Sequence, residues 1–194
     1  MKGVGTQDYL TTYRVTVRDA KSQPIATAML DDEPGILAFS TDGARLAVVA
    51  KQKPHVVVLD ASTGAVVDDF TAESGGPDGS TRLAHIAWSP TVPARLAYYR
   101  TAPSRVVIRD VTAKRDVETR VLVRPADRVV RAVTWSPDGK RFALLADQLV
   151  TLWDGALPPV TFAFAGTAGV ELRADGAARL LGDEAAARSL LAPR

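Results

Sequence analysis

The stretch Val133 to Asp154, VTWSPDGKRFALLADQLVTLWD, reads as strand, tight turn, strand, short connection and strand. Val133 and Trp135 suit a pleated, buried surface. In Pro137-Asp138-Gly139 the proline presets φ and the glycine accepts a positive φ, so the turn has a mechanism. Further strands are expected at Arg141–Leu145 and Leu149–Trp153, joined through Asp147-Gln148. A meander this small cannot bury its own faces. It therefore constrains the whole chain, because it must stack on other copies of itself.

Copies are present. The Trp135-Ser-Pro-Asp-Gly core aligns with Phe39-Ser-Thr-Asp-Gly, Trp88-Ser-Pro and Leu172-Arg-Ala-Asp-Gly, at successive spacings of 49, 47 and 37 residues. The third-strand pattern, β-branched alternation closing on Asp, occurs as VTVRD at Asp19, VVVLD at Asp60, VVIRD at Asp110 and VTLWD at Asp154. Its spacings are 41, 50 and 44. A period in the forties with four short strands per unit is the repeat signature of a β-propeller. The expected fold class is all-β: a propeller of four-stranded antiparallel blades, three whole and one composite blade from the two termini, in a small or partial ring.

WSPDGKRFALL followed by VTLWD resembles the WD-repeat blade, and LAFSTDGARLAVVA followed by VVVLDASTGAVV is similar to TolB-type bacterial propeller repeats. The resemblance covers about residues 10 to 182 and implies the fold far more than a function. Two departures matter. Only Trp153-Asp154 is a true WD dipeptide, and no Gly-His pair precedes any strand. His85 lies three residues before Trp88, too close to replace that histidine, so the family's buried Asp-His-Ser-Trp network is not carried over. Hydrophobic stacking of blades is expected to hold the fold.

On this reading the chain forms a single domain over residues 1–194, with 1–8 frayed and 9–30 supplying two outer strands of a composite blade. Whole blades occupy 35–70, 82–123 and 129–164, and 168–182 supply two inner strands. Residues 183–194 form a tail, read as a short capped helix or frayed end. TAESGGPDGST, Thr71 to Thr81, is the longest irregular stretch and the expected mobile loop. Three arrangements remain open: four blades closed by one chain, eight closed by two chains head to tail, or a ring completed by a different chain. An open end exposes an apolar blade face, which favours assembly with another chain.

Composition narrows the function classes. An apolar share of 46% places the chain among globular proteins. A net charge of +2 requires no polyanionic partner, and the absence of cysteine excludes disulfides, zinc–thiolate sites and thiol nucleophiles. The N-terminal MKGVGTQDYLTTYRV has no apolar core of the signal-peptide kind, and no run reaches membrane-spanning length, so a cytoplasmic protein without membrane contact is expected.

Candidate chemistry is sparse. His55 follows Pro54 in a hairpin connection and reads as a solvated residue; His85, in the first strand of the second blade, reads as a core or channel histidine with a local hydrogen bond. There is no Gly-x-Ser-x-Gly elbow. Asp31-Asp32-Glu33 and Asp68-Asp69 read as hydrated acids, and the recurring Asp42-Gly43, Asp138-Gly139 and Asp175-Gly176 as turn formers. Trp88 and Trp135 share a repeat position, as packing between blades demands. No catalytic residue, metal ligand or cofactor is assigned. Basic residues do cluster. Between Arg95 and Arg131 ten basic residues face four acids, a net +6, leaving −4 for the remainder. Arg100, Arg105, Arg109, Arg120 and Arg124 are the candidate contacts to a protein partner or to RNA phosphates. The expected function is a non-enzymatic propeller scaffold for protein–protein interaction within a larger assembly, partnered by another chain or a second copy. RNA or ribosome binding through the basic blade is the alternative, and a propeller hydrolase or sugar-binding domain the second alternative.

Overall fold

The computed structural model describes residues 12–72, 83–101, 104–121, 130–146, 149–153, 160–163, 167–172 and 178–182. Among them there are strands and no helix. A two-stranded sheet, β1 (Tyr13–Arg18) and β2 (Pro24–Leu30), comes first. The first blade follows, in the order β3 (Pro34–Phe39), β4 (Arg45–Ala50), β5 (His55–Asp60) and β6 (Val66–Thr71). The second blade is β7 (Leu83–Trp88), β8 (Arg95–Arg100), β9 (Arg105–Asp110) and β10 (Arg115–Val121). The third is β11 (Val130–Trp135), β12 (Phe142–Ala146), β13 (Leu149–Trp153) and β14 (Val160–Ala163). A last two-stranded sheet holds β15 (Thr167–Leu172) and β16 (Ala178–Gly182). Every pairing is antiparallel between consecutive strands. This is a partial β-propeller. Among the described residues the two terminal pairs are separate sheets, with no hydrogen-bonded pairing that joins them into one composite blade.

The turns form as their residues dictate. In the first and third blades the serine after the inner strand folds back: Ser40 Oγ and Ser136 Oγ accept from the backbone N–H of Arg45 and Arg141 and donate to Asp42 and Asp138. Gly43 and Gly139 close these turns at φ near +70°. The aspartate ending the third strand shapes the next hairpin, with Asp60 and Asp110 each accepting two backbone N–H bonds from the residues that follow. The Ser62 hydroxyl, with the Thr63 backbone N–H and hydroxyl and the Ser62 N–H, holds the Asp60 carboxyl down at about 2.

Among the described residues, packing occurs between sheets in three cores. Val17, Ala26 and Leu30 of the first two-stranded sheet meet Leu46, Val48, Val57 and Leu59. Val49, Val56 and Val58 share the second core with Leu96, Tyr98 and Val107. Tyr99, Val106 and Ile108 share the third with Val133, Phe142 and Leu144. Both faces of each middle strand are thus covered, at about 1.5–3 kcal/mol per buried large aliphatic side chain. Tyr98 and Tyr99, successive residues of β8, both face cores, one toward each neighbouring blade.

Polar bonds also cross the seams. Trp88 Nε1 donates to the Ala38 carbonyl at 2.9 Å, and Trp135 Nε1 donates to the Ala87 carbonyl at 3.1 Å, each reaching the inner strand of the preceding blade. His85, half-buried on β7, donates Nε2–H to the Val130 carbonyl of the next blade at 2.7 Å, so its hydrogen bond crosses the seam. A bulge between Asp116 and Glu118 displaces Val117, which is 40% exposed, and leaves Thr119 exposed and Glu118 half-buried. Of the expected loop Thr71–Thr81, Thr71 ends β6 and Ala72 is buried, while 73–81, the tail 183–194 and the Asp175-Gly176 turn lie outside the described residues.

Candidate functional site

Two polar constellations sit at sheet seams. The first lies where β2 leaves the first two-stranded sheet and passes into β3. Asp32, in that connection, faces His55, the first residue of β5, and β6 brings Asp69 to the other side of the ring. His55 Nδ1 lies 2.7 Å from Asp32 Oδ2, and Nε2 lies 2.7 Å from Asp69 Oδ1. Both nitrogens meet carboxylate oxygens, so both must donate, which only the imidazolium does. Burial alone would lower the His55 pKa; the bonds to Asp69 and Asp32 outweigh it and hold it above its ordinary value. Lys53 pairs with Asp32 and, with a smaller part from His55, holds that carboxyl below its usual range against the opposing effect of burial.

His55 is therefore not the solvated loop residue its neighbour Pro54 suggested. Nor does it have a nitrogen lone pair free to take a proton from a substrate, so this geometry makes it a clamp and not a general base. Among the described residues, no cluster of three or more His, Asp or Glu side chains is arranged to hold a metal ion. Beside the clamp opens a cleft of about 100 Å3, lined by Met29, Leu30, Asp31, Asp32, Val66 and Asp69 among others. Met29 and Val66 are 55% and 56% exposed, unusual for large apolar side chains flanked by charge. Asp31 and Asp69 are exposed at the same cleft.

The second constellation joins the first and second blades. Arg109 occupies the fourth position of the VVIRD repeat. That position faces the preceding sheet: Leu59 packs on the first two-stranded sheet, and Trp153 on the core shared with the second blade. Arg109 accordingly points at β6, where Asp68 is 1% exposed. Its Nε and Nη2 donate to the two Asp68 oxygens at 2.7 and 3.2 Å. Nη1 donates to Asp116 at 3.1 Å, Nη2 also to the Lys114 carbonyl at 3.1 Å, and the guanidinium lies 4.0 Å over the Phe70 ring. Burial would lower the Arg109 pKa, and the two carboxylates more than restore it. Tyr98, raised chiefly by burial, donates its hydroxyl to Asp116 at 3.2 Å.

The five arginines singled out in the sequence do not form one surface among the described residues. Arg109 is committed to Asp68 and Asp116. Arg100 is 6% exposed, and Arg105 is half-buried with its Nε enclosed. Arg120 lies on β10, its side chain outside the described residues, as is the whole of Arg124. Sequence reasoning missed both the Asp68–Arg109 pair and the His55 clamp. The first had a signal: an arginine at a repeat position that faces a core demands a buried acid. The second had none, because Asp32, His55 and Asp69 converge from three separate elements.

No protein-family model matches this chain, and no curated protein is detectably similar to it in sequence. Solved structures are similar in shape. A chain in the complex of KlAtg21 with the coiled coil of AgAtg16 superposes with a TM-score of 0.65 at 12% identity, over 87% of this chain and 56% of that one. A chain of the mitotic checkpoint complex gives 0.60 at 18% identity, over 88% of this chain and 55% of that one. This chain thus spans a little over half the length of either. The likenesses show the fold, a β-propeller.

Proposed function

We propose that this chain is a non-enzymatic propeller scaffold that holds a protein partner, and that the partner docks in the cleft beside the His55 clamp. The observation that carries the reading is the pairing of exposed Met29 and Val66 with the acids Asp31 and Asp69 around one concavity. That chemistry suits an extended segment with an apolar anchor and a basic flank: the anchor fills the cleft, and the flank meets the carboxylates. Methionine adapts its shape to such anchors at low cost. The clamp keeps the cleft walls fixed, which limits the ordering cost of binding. Both similar structures come from protein complexes, which supports a scaffold role here. RNA binding through the second blade has less support, since Arg109 and Arg100 are drawn into the seams.

Affinity capture with the intact chain tests the reading, run in parallel with Met29→Asp and Val66→Asp. The expected result is a stoichiometric protein partner, resistant to nuclease, retained by the parent chain and lost by both variants. Both positions are half exposed, so the fold should tolerate either change. Retention by the variants would move the docking site elsewhere. Nuclease-sensitive capture whose strength falls steeply with salt would favour the RNA alternative.

A further inference from the structure

Asp32 and Asp69 hold one imidazole at the same distance, 2.7 Å, yet they are not equivalent. The Asp32 side chain is 15% exposed and also pairs with Lys53. The Asp69 side chain is 58% exposed, and among the described residues His55 is its one side-chain partner, on Oδ1 alone. Asp69 also lines the cleft, together with Asp31 and the apolar Met29 and Val66. The charged groups that face His55 are thus Asp32 from the β2–β3 connection, with Lys53 behind it, and Asp69 from β6. A ring between two carboxylates donates to both only while it carries its second proton. Once that proton goes, the neutral ring keeps one of them. Asp32 is the shielded, Lys53-paired acid, so Nδ1–H stays there. The Nε2 lone pair then faces Asp69, and both need a donor from outside.

We propose that Asp69 is the recognition carboxylate of this cleft and that it takes a lysine side chain of the partner, whose ammonium enters between His55 Nε2 and Asp69 as the Nε2 proton leaves to solvent. The inference rests on the docking reading above and names the residue that the basic flank presents. An ammonium carries three donors on one compact nitrogen. One serves the Nε2 lone pair, one serves Asp69, and the third is left for Asp31 or water. An arginine fork matches the two oxygens of one carboxylate and fits a ring nitrogen beside an oxygen less well. The aliphatic stem of lysine lies along Met29 and Val66, which an ion alone would not use. One cation leaves as another enters, so docking adds no net charge to a half-buried site. Burial already opposes the charge on His55, and the bonds to Asp69 and Asp32 counter it. With Asp69 served by the ammonium, the ring loses its main reason to stay charged. The ammonium also takes over the join between β5 and β6, so the cleft wall stays closed. Because a proton must leave, affinity should fall about tenfold for each pH unit below the His55 midpoint and level off above it.

Butylammonium, the lysine side chain without its backbone, is the probe. NMR on the intact chain follows the His55 ring across pH and the Met29 methyl at fixed pH. The two salts compared are butylammonium chloride and tetramethylammonium chloride at equal ionic strength, which removes plain screening. Butylammonium should shift the Met29 methyl and lower the His55 midpoint, weakening proton binding about twofold when its concentration equals its dissociation constant. Tetramethylammonium has no N–H and should do neither. Asp69→Asn, at an exposed side chain, lowers the midpoint by itself, and butylammonium should then move it no further. Equal His55 midpoints in the two salts overturn the proposal, and so does a response that survives Asp69→Asn. A Met29 shift with an unmoved His55 midpoint would sink the proton exchange and leave the cleft standing as a docking site. Silence at both residues would also end the proposal, with the capture assay alone then deciding on the cleft.

Discussion

Removing the Arg109 side chain is the sharpest perturbation of the seam between the first two blades. Asp68 is 1% exposed, and Arg109 supplies both of its charged hydrogen bonds, at 2.7 and 3.2 Å. Arg109→Ala leaves Asp68, among the described residues, with only the backbone N–H of Asp69, so a carboxylate stays buried without a counter-ion. Such a loss costs about 3–5 kcal/mol. The bond to Asp116 adds little, because that acid is 42% exposed, and the contact over Phe70 adds about 0.5–1 kcal/mol. With a urea slope of about 2 kcal/mol/M, the denaturation midpoint should fall by about 1.5–2.5 M. The size of that loss reflects the stranded acid more than the worth of the pair. Asp68→Leu/Arg109→Leu should therefore recover most of it and lie within about 1 kcal/mol of the parent, with a coupling of at least about 2 kcal/mol. If Arg109→Ala costs under about 1 kcal/mol, or the double variant is no better than the single, the account of this seam is refuted.

Trp88→Phe should destabilise by about 1–3 kcal/mol, since the Ala38 carbonyl loses its donor inside a core; Trp135→Phe should cost less, its ring being less buried, and thermal melts compare the two. His55 should titrate in NMR with a midpoint above 6.5, and Asp69→Asn should bring it down. Because the folded value is raised, its stabilisation is complete below about 6.5 and is lost as pH rises through the folded midpoint; because Asp32 is lowered, its share is present above 3.8 and lost as pH falls through its folded value. A midpoint at or below 6.5 would sink the clamp. Gly64→Ala should cost clearly more than Gly43→Ala. Both have positive φ, worth about 1–2 kcal/mol, but a Cβ on Gly64 would sit 2.8 Å from the Thr27 carbonyl oxygen, whereas the space at Gly43 is open. Equal losses in urea titrations would contradict the close approach of β2 to that hairpin.

Much of the fold is legible in single repeats. β4, β8, β9 and β13 run from Arg45, Arg95, Arg105 and Leu149 to Ala50, Arg100, Asp110 and Trp153, as alternation and flanking turns dictate. β5 begins at His55, and that residue is the clamp. β10 starts at Arg115, with Arg115 and Asp116 paired to Asp110 and Arg109 ahead of the one-residue bulge at Val117. Polar residues were harder to place. Asp68 and Asp69 are adjacent acids in sequence, yet successive side chains leave a strand on opposite faces, so one is sealed against Arg109 and the other stays at the cleft. Nothing local says which neighbour each face will meet.

The sequence by itself determined the strands, the Ser-x-Asp-Gly turns and the stacking of four-stranded units, because each follows from side-chain period and backbone preference within a few residues. Only the tertiary structure decided what the seams contain: Trp88 on Ala38, Arg109 on Asp68, His55 between Asp32 and Asp69. These contacts depend on the angle at which one sheet leans on the last. That angle is set by the volumes packed between two sheets together, so no single repeat encodes it, and the extent of the ring is the sum of all such angles.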